Sequence, residues 1–122
     1  MEILDDIAQC IYDKKGFNIL AIDVRGVSST TDYIMIAEAN VKRHAISIAE
    51  EVCQLLKAKG EVPAYSDGMD DGEWIVLDFI TWMIHIFLPD FRAKYQIERL
   101  FPEGKIIDLQ LKLTSCDEKI SG

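Results

Sequence analysis

Two long stretches of the chain carry apolar residues at helical spacing, and each has one apolar face. In Glu2–Lys15, leucine, isoleucine and alanine recur three or four positions apart, which predicts an amphipathic helix. Gly16 follows directly and is predicted to end it, because glycine is common just past a helix C-terminus. A second helix is predicted over Val41–Lys59, with Asn40 as its N-cap and Gly60 as its end. Each helix therefore needs another layer against which to bury its apolar face.

Five shorter apolar stretches, separated by turn residues, predict β-strands. The first two flank the polar segment Arg25–Asp32, and the last two flank Ile80 and Thr81. One short stretch begins near Pro63, which suits a sheet edge because proline cannot donate a ladder hydrogen bond. The predicted strands are Phe17–Val24, Tyr33–Ala39, Val62–Tyr65, Glu73–Phe79 and Trp82–Phe87.

The C-terminal part begins with Pro89, which interrupts the strand pattern before a last predicted helix over Phe91–Phe101. Beyond it, Lys105–Leu113 alternates enough to predict an additional strand or a docked extended arm, and Ser115–Gly122 is predicted to fray. We expect one domain over residues 1–102, followed by a C-terminal extension over residues 103–122. The element order αββαβββα predicts an α/β (α+β) fold class, with a mixed β-sheet flanked by helices.

The net charge of the chain is more unusual for a globular protein than its hydrophobic content. It has 122 residues, 49% of them hydrophobic, which suits one soluble domain with its own core. Asp and Glu number 21 against 13 Lys and Arg, so the net charge is −8. Such a chain repels phosphate backbones, because nucleic-acid affinity depends largely on lysine and arginine. We therefore expect little direct nucleic-acid contact and favour a basic protein partner.

The cysteines and the N-terminal residues indicate in which cellular compartment the protein is expected. The three cysteines are far apart and form no C-x-x-C pair, which is typical of a reducing environment. The N-terminal residues are acidic where a signal or transit peptide would be basic. No apolar run approaches the roughly 18 residues that a membrane span requires. We expect a soluble cytoplasmic protein that does not contact membranes.

Three aspartates raise the alternative of a metal-dependent nucleotidyltransferase. Asp23, Asp32 and Asp78 could be taken as a carboxylate set that converges on Mg²⁺. Such enzymes carry a second carboxylate two positions after the first, whereas Asp32 is followed by Tyr33 and Ile34. The pattern therefore disfavours catalysis, and we expect a non-enzymatic protein with no metal site and no cofactor.

The two histidines are candidates for a general base, but structural roles are favoured for both. A base needs a partner that orients it and a nucleophile within reach. His44 lies in the first turn of a predicted helix, where a hydrogen bond to the turn at Ser28 and Ser29 is expected. His85 lies between isoleucines in a strand, where Asp78 on the adjacent strand is the expected acceptor.

Four groups of residues occur in a fixed order along the chain. They are Asp23–Tyr33; Arg43 and His44 with Ile48–Val52; Gly68 and Gly72 with Trp74–Asp78; and His85–Phe87 with Arg92, Tyr95 and Ile97–Leu100. Over residues 3–101 these groups resemble the ribosomal silencing factor (Iojap-like) family. The chain departs from the family pattern at Ile80, Thr81, Trp82 and Phe101.

The resemblance implies a fold and a function. The fold is a mixed sheet with flanking helices, similar to nucleotidyltransferases but without their catalytic carboxylates. Family members bind the large ribosomal subunit through its ribosomal protein fourteen and block joining of the small subunit, so that translation falls when nutrients are short. A large-subunit assembly factor that uses the same surface is the alternative within this class.

A binding surface is predicted on the last two strands and the closing helix. Aromatic residues are favoured anchors in protein interfaces, although a tryptophan at position 74 could equally be a core residue. The last helix has two apolar faces, so one can pack on the sheet while the other meets a partner. Arg92 and Glu98 are candidates for ion pairs across the interface. The predicted partner-binding residues are Trp74, Asp78, His85, Phe87, Arg92, Tyr95, Glu98, Leu100 and Phe101.

The acidic turn before Trp74 adds an electrostatic component to this surface. Asp67, Asp70, Asp71 and Glu73 lie within seven residues and would attract the lysines and arginines of a ribosomal protein, although such a run is commonly only a solvated loop. An exposed apolar face also favours self-association. We therefore expect a monomer–homodimer equilibrium of the free protein that competes with partner binding.

Overall fold

The computed structural model describes residues 2–95, 99 and 103–112 of the chain. Within them, helices and strands combine into a mixed α+β fold, which confirms the predicted fold class. The elements are α1 (Glu2–Asp13), β1 (Phe17–Asp23), β2 (Tyr33–Glu38), α2 (Lys42–Ala58), β3 (Tyr65–Asp67), β4 (Trp74–Asp78), β5 (Trp82–Phe87), α3 (Pro89–Tyr95) and β6 (Lys105–Ile106).

One six-stranded sheet forms the centre of the fold, with the strand order β3-β4-β5-β2-β1-β6. β2 and β5 are parallel neighbours, with Tyr33 opposite Trp82 and Glu38 opposite Phe87, while the other strand pairs are antiparallel. A parallel pair needs a long crossover. Here α2, β3 and β4 supply it, so β5 returns to the middle of the sheet beside β2.

Helices α1 and α2 cover one face of the sheet. Their buried side chains pack with alternate residues of the strands, such as Ile75 and Leu77 from β4 and Ile84 and Ile86 from β5. Strand alternation places every second side chain on this face, which explains the pattern. No helix in the described part of the chain is long and apolar enough to cross a membrane. The main core is therefore the layer between this helix pair and the sheet.

The opposite face of the sheet carries a second, smaller apolar cluster. Its buried members come from β1, β2 and β5 and the residue after β1, and partly buried side chains from β1, β4 and α3 pack against them. Those partly buried side chains are Leu20, Trp74 and Phe91. Among the described elements, α3 is the helix that contributes to this cluster. We call this side, opposite α1 and α2, the second face.

The end of α1 differs from the prediction in detail. Lys15, not Gly16, adopts the left-handed conformation that reverses the chain, with φ 71°. Gly16 is required for another reason, since a Cβ there would lie 2.4 Å from Ile11 Cγ2. The glycine therefore allows the backbone to pass close over the last turn of the helix.

The start of α2 also corrects two predictions. Val41, and not Asn40, is the N-cap, and its side chain makes no capping hydrogen bond. The Asn40 N–H donates to His44 Nδ1 at 3.0 Å, and His44 Nε2 lies 2.6 Å from the Lys14 carbonyl oxygen. Ser28 Oγ instead accepts the N–H of Thr30 within its own turn. His44 thus joins the start of α2 to the end of α1, and its predicted bond to the Ser28 turn is wrong.

Two further boundaries shift along the chain. The short edge strand β3 is Tyr65–Asp67, later than the predicted Val62–Tyr65, because its pairing with β4 begins where Tyr65 meets Asp78. Helix α3 already begins at Pro89, a residue well suited to the first helical turn. The remainder of the predicted last helix, beyond Tyr95, lies outside the described residues apart from position 99.

Residues 103–112 pack on the edge of the sheet and on α1. β6 pairs antiparallel with β1, and the Ile107 N–H donates to the Ala21 carbonyl. Further along, the backbone N–H of Lys112 donates to Gln9 Oε1 at 2.7 Å. This segment is therefore a strand followed by an extended arm. The predicted fraying of Ser115–Gly122 concerns residues outside the description.

Candidate functional site

A glycine-containing turn positions Trp74 at the start of β4. Gly68 has φ 81°, and a Cβ on it would lie 2.0 Å from the Trp74 carbonyl oxygen. Gly72 has φ 80°, and its Cβ would lie 2.8 Å from the carbonyl oxygen of Lys42 at the start of α2. Both positions therefore need glycine for conformation and for space. The turn is packed tightly enough to fix where β4 begins.

Trp74 belongs to an aromatic cluster on the second face. Its ring stacks on Phe87, the residue directly opposite on β5, with centroids 5.0 Å apart and an interplanar angle of 27°. His85, two positions earlier on the same strand, stacks with Phe87 at 6.0 Å. Trp74 Nε1 donates a hydrogen bond to His85 Nδ1 at 3.1 Å. Trp74 is half-buried, so it is neither a fully exposed anchor nor a core residue.

His85 is a buried neutral histidine. Because Nδ1 accepts the indole N–H, the ring proton lies on Nε2, and this atom has no hydrogen-bond partner among the described residues. Burial lowers the pKa of His85 to about 4, and the charge of Asp78 opposes this only in part. The predicted Asp78 acceptor is wrong. Asp78 Oδ1 instead accepts the N–H of Ile80 at 2.8 Å, within the β4–β5 turn.

The depressed pKa of His85 predicts acid sensitivity. Between its ordinary value of 6.5 and about 4, the unfolded chain binds a proton at His85 that the folded chain does not. The contribution of His85 to folding stability is therefore fully present above pH 6.5 and is lost as pH falls towards 4, which costs about 2–3 kcal/mol. Urea unfolding at several pH values measures this loss. In His85→Gln, which can still accept from Trp74 but does not titrate, the decline should be clearly smaller; an identical decline would exclude His85 as its source.

Arg92 is engaged within the chain. Its Nη1 lies 3.1 Å from Glu38 Oε2 on β2 and also donates to the Asn18 carbonyl oxygen. Asn18 Nδ2 donates to the same Glu38 oxygen at 3.0 Å. The two charged side chains are only 14% and 11% exposed. Arg92 thus anchors α3 to β1 and β2, where the sequence suggests an ion pair with a partner.

The structure sorts the predicted site residues by accessibility. Phe87 and His85 are buried, while Trp74 and Asp78 are half-buried on the same face. Tyr95 is the last residue of α3, and Glu98, Leu100 and Phe101 lie outside the described residues. The strands therefore bring together four of the nine predicted residues, while Arg92 joins α3 to Asn18 and Glu38.

Sequence reasoning missed three residues that share this face. Val76 and Met83 are half-buried, and Tyr65 is 59% exposed on the neighbouring edge strand. Strand alternation was the available signal, because Val76 lies between Trp74 and Asp78, and Met83 lies two positions before His85. The reachable surface is thus formed by Tyr65, Trp74, Val76, Asp78 and Met83, which we call the strand patch.

The three aspartates of the alternative enzyme hypothesis make unrelated contacts, and the carboxylates of Asp23 and Asp78 are each engaged locally. Asp23 accepts from Arg25, whose guanidinium and backbone N–H hold the pKa of that carboxyl at about 2. The Asp32 carbonyl accepts the N–H of Val24, just after β1, and the Asp32 N–H donates to the carbonyl of Thr81, just before β5. Within residues 2–95, 99 and 103–112, no group of three or more metal-ligating side chains comes together.

Comparison with known proteins shows similarity to ribosomal silencing factors. The family model described as "Ribosomal silencing factor during starvation" matches residues 1–120, and so extends past residue 101, where the resemblance in the sequence ends. Ribosomal silencing factor RsfS of Bacillus subtilis is 30% identical over 107 residues, 88% of this chain and 91% of its own. A crystal structure of a Chromobacterium violaceum protein superposes with a TM-score of 0.79 at 27% identity, covering 91% and 92% of the two chains.

A mouse relative differs in length and in name. It is 25% identical over 101 residues, which are 80% of this chain and 44% of the mouse protein. That protein is called mitochondrial assembly of ribosomal large subunit protein 1. Bacterial and mitochondrial relatives therefore share this domain, and their names refer to ribosomes in both cases.

Proposed function

The chain belongs to the ribosomal silencing factor (RsfS) family, and on that basis we propose that it represses translation by binding the large ribosomal subunit. The binding partner would be ribosomal protein fourteen of that subunit, and the bound chain would prevent the small subunit from joining. The protein would act in the cytoplasm, as a binding protein without a catalytic step. Family membership is the observation that carries this proposal.

The strand patch supports a location for the contact. Helices α1 and α2 cover the opposite face of the sheet, so the second face is the one on which half-buried apolar side chains and a carboxylate lie side by side. A typical specific interface buries about 800 Å² per partner. An interface of this size would have to include α3 beside the ends of β3, β4 and β5. We assign the partner-binding role to this surface, with His85, Phe87 and Arg92 holding it from within.

The charge distribution supports a basic protein as partner. The net charge of −8 produces a negative potential around the chain, and the turn before Trp74 adds four acidic residues next to the patch. Lys42 pairs with two of them, Asp71 and Glu73, at 3.8 and 3.6 Å. These exposed pairs are weak, so a basic partner can exchange them for its own contacts. The negative potential would mainly accelerate the encounter with a basic partner and would select against acidic partners.

The inhibition would be steric. A folded body of 13.9 kDa bound at the face of the large subunit that meets the small subunit occupies space that the small subunit requires. Repression then needs only binding that persists while the small subunit is present. Light scattering on mixing purified subunits should therefore show slower and less complete joining when the large subunit is first incubated with the protein.

A charged substitution in the strand patch tests the location. Val76→Lys places a cation where a basic partner should dock, and a lysine stem tolerates a half-buried site. Gln54→Lys adds the same charge on the exposed surface of α2 and is the matched control. We expect Val76→Lys to lose at least 90% of the inhibition of joining, because like charge at the contact should weaken the affinity by about a hundredfold or more, and Gln54→Lys to retain it. Equal inhibition by a folded Val76→Lys protein would place the contact elsewhere.

The same surface could serve a function in ribosome assembly. The name of the mouse relative favours a second candidate function, in which the chain assists assembly of the large subunit. Preferential binding to precursor particles over mature large subunits would support assembly, and the reverse preference would support silencing.

We also propose that the free protein forms a homodimer through the strand patch. Sedimentation equilibrium should then show a dimer that Val76→Lys dissociates.

A further inference from the structure

Ile80 occupies an unfavourable conformation at an exposed position. It lies in the turn between β4 and β5 with φ 74°, in the left-handed region, and 65% of its surface is exposed. A β-branched residue is strained in this region, because its Cβ substituents crowd the following carbonyl. Its exposed side chain gains little from burial within the chain. Neither local conformation nor core packing therefore accounts for isoleucine at this position.

The turn holds Ile80 in place through its neighbours. The Ile80 N–H donates to Asp78 Oδ1 at 2.8 Å, and the N–H of Phe79 donates to the Trp82 carbonyl at 2.9 Å. Thr81 closes the turn by donating to the Phe79 carbonyl at 2.9 Å. These bonds fix the backbone on both sides of Ile80. Strain that the surrounding structure maintains in this way is typical of functional positions.

Asp78 lies between Ile80 and a second exposed apolar side chain. Tyr65 of β3 is directly opposite Asp78 in the sheet and is 59% exposed. Asp78 Oδ1 is engaged by Ile80, and no hydrogen bond from the described residues reaches Oδ2. Asp78 therefore lies at the corner of the strand patch, opposite the exposed Tyr65 in the sheet and two positions before the exposed Ile80.

We propose that Tyr65, Asp78 and Ile80 form a receptor for one basic side chain, an arginine or a lysine, of the protein partner. The cation would pair with Asp78 Oδ2, and its aliphatic stem would lie along Ile80 and the Tyr65 ring. Long basic side chains bury their stems on apolar surface and are attracted to aromatic faces. The acidic chain favours a cation here over an anion. The inference rests on the proposed function and specifies the chemistry of the contact.

Two substitutions separate the strain at position 80 from its contact role. Ile80→Gly relieves the left-handed strain and removes the apolar side chain, whereas Ile80→Thr keeps the β-branch but makes it polar. We expect Ile80→Gly to raise Tm by about 3 °C and to weaken binding about tenfold. Ile80→Thr should weaken binding several-fold without a rise in Tm. Asp78→Asn should weaken binding about tenfold and reduce its dependence on salt concentration.

The experiment uses the full chain and isolated large-subunit ribosomal protein fourteen as the probe. Calorimetric titration at two salt concentrations gives Kd, and thermal unfolding gives Tm for each variant. A more stable Ile80→Gly protein with weakened binding supports the receptor. Unchanged affinity in Ile80→Gly or Asp78→Asn, while Val76→Lys abolishes binding, would overturn the receptor but leave the proposed function intact. An Ile80→Gly protein that is no more stable would also overturn it. Absence of binding by the unmodified chain would overturn both proposals.

Discussion

Replacing Arg92 with methionine is expected to destabilise the folded chain by about 4 kcal/mol, because it leaves the buried Glu38 carboxylate without its cation. The Glu38 side chain is only 11% exposed, and Asn18 Nδ2 would be its one remaining partner among the described residues. Urea unfolding followed by circular dichroism measures the loss. Partner binding should weaken as well, since Arg92 joins α3 to β1 and β2 through Asn18 and Glu38.

A double substitution serves as the control for this prediction. In Arg92→Met with Glu38→Leu, the uncompensated charge is removed together with its partner, so most of the lost stability should return. Recovery would show that the cost of Arg92→Met comes from the buried carboxylate. A double variant as unstable as Arg92→Met would instead assign the cost to lost packing of the arginine stem on the second face.

Gly68→Ala is expected to destabilise the chain by at least about 3 kcal/mol, among the largest effects of a single methyl group. The added Cβ would lie 2.0 Å from the Trp74 carbonyl oxygen, so the backbone of the turn or of β4 must move. Moving the start of β4 also displaces the Trp74 ring from Phe87 and His85. Urea unfolding should report the loss, and tryptophan fluorescence, compared in a Trp82→Phe background, should report the altered environment of Trp74.

Gly26→Ala is the matched control for Gly68→Ala. Gly26 has nearly the same conformation, with φ 80°, but a Cβ there would meet nothing within 4 Å. Gly26→Ala should therefore lower the free energy of unfolding by only about 1–2 kcal/mol, the penalty for a left-handed alanine. Similar losses in the two variants would indicate that conformation, and not the contact with Trp74, determines the effect at Gly68.

The sequence predicted the elements whose signals are local and periodic. The apolar spacing in Glu2–Lys15 and Val41–Lys59 located both long helices, and apolar runs bounded by turn residues located the four main strands. Boundaries that depend on distant partners were less predictable. β3 begins at Tyr65 because it pairs with Asp78, and no local pattern at Val62 or Pro63 reveals that pairing. Gly16 was correctly associated with the helix end, but its reason, the close approach to Ile11, is a tertiary one.

The candidate site shows the same division between local and distant information. The sequence indicated Trp74 and His85 as special, because polar or aromatic groups interrupt apolar strands there. Their direct hydrogen bond depends on the antiparallel register of β4 and β5, which the sequence does not specify. Arg92 and Glu38 are 54 positions apart, so the arginine could only be assigned to a partner from sequence. The left-handed Ile80 had no sequence signal at all, since isoleucine is unusual in that conformation.

Co-sedimentation of the purified chain with separated large and small ribosomal subunits tests the central claim most directly. The account predicts that the chain pellets with large subunits only, that Val76→Lys stays in the supernatant, and that Gln54→Lys pellets like the unmodified chain. Binding to small subunits, binding to neither subunit, or retained binding by a folded Val76→Lys protein would contradict the claim that the strand patch docks on the large subunit.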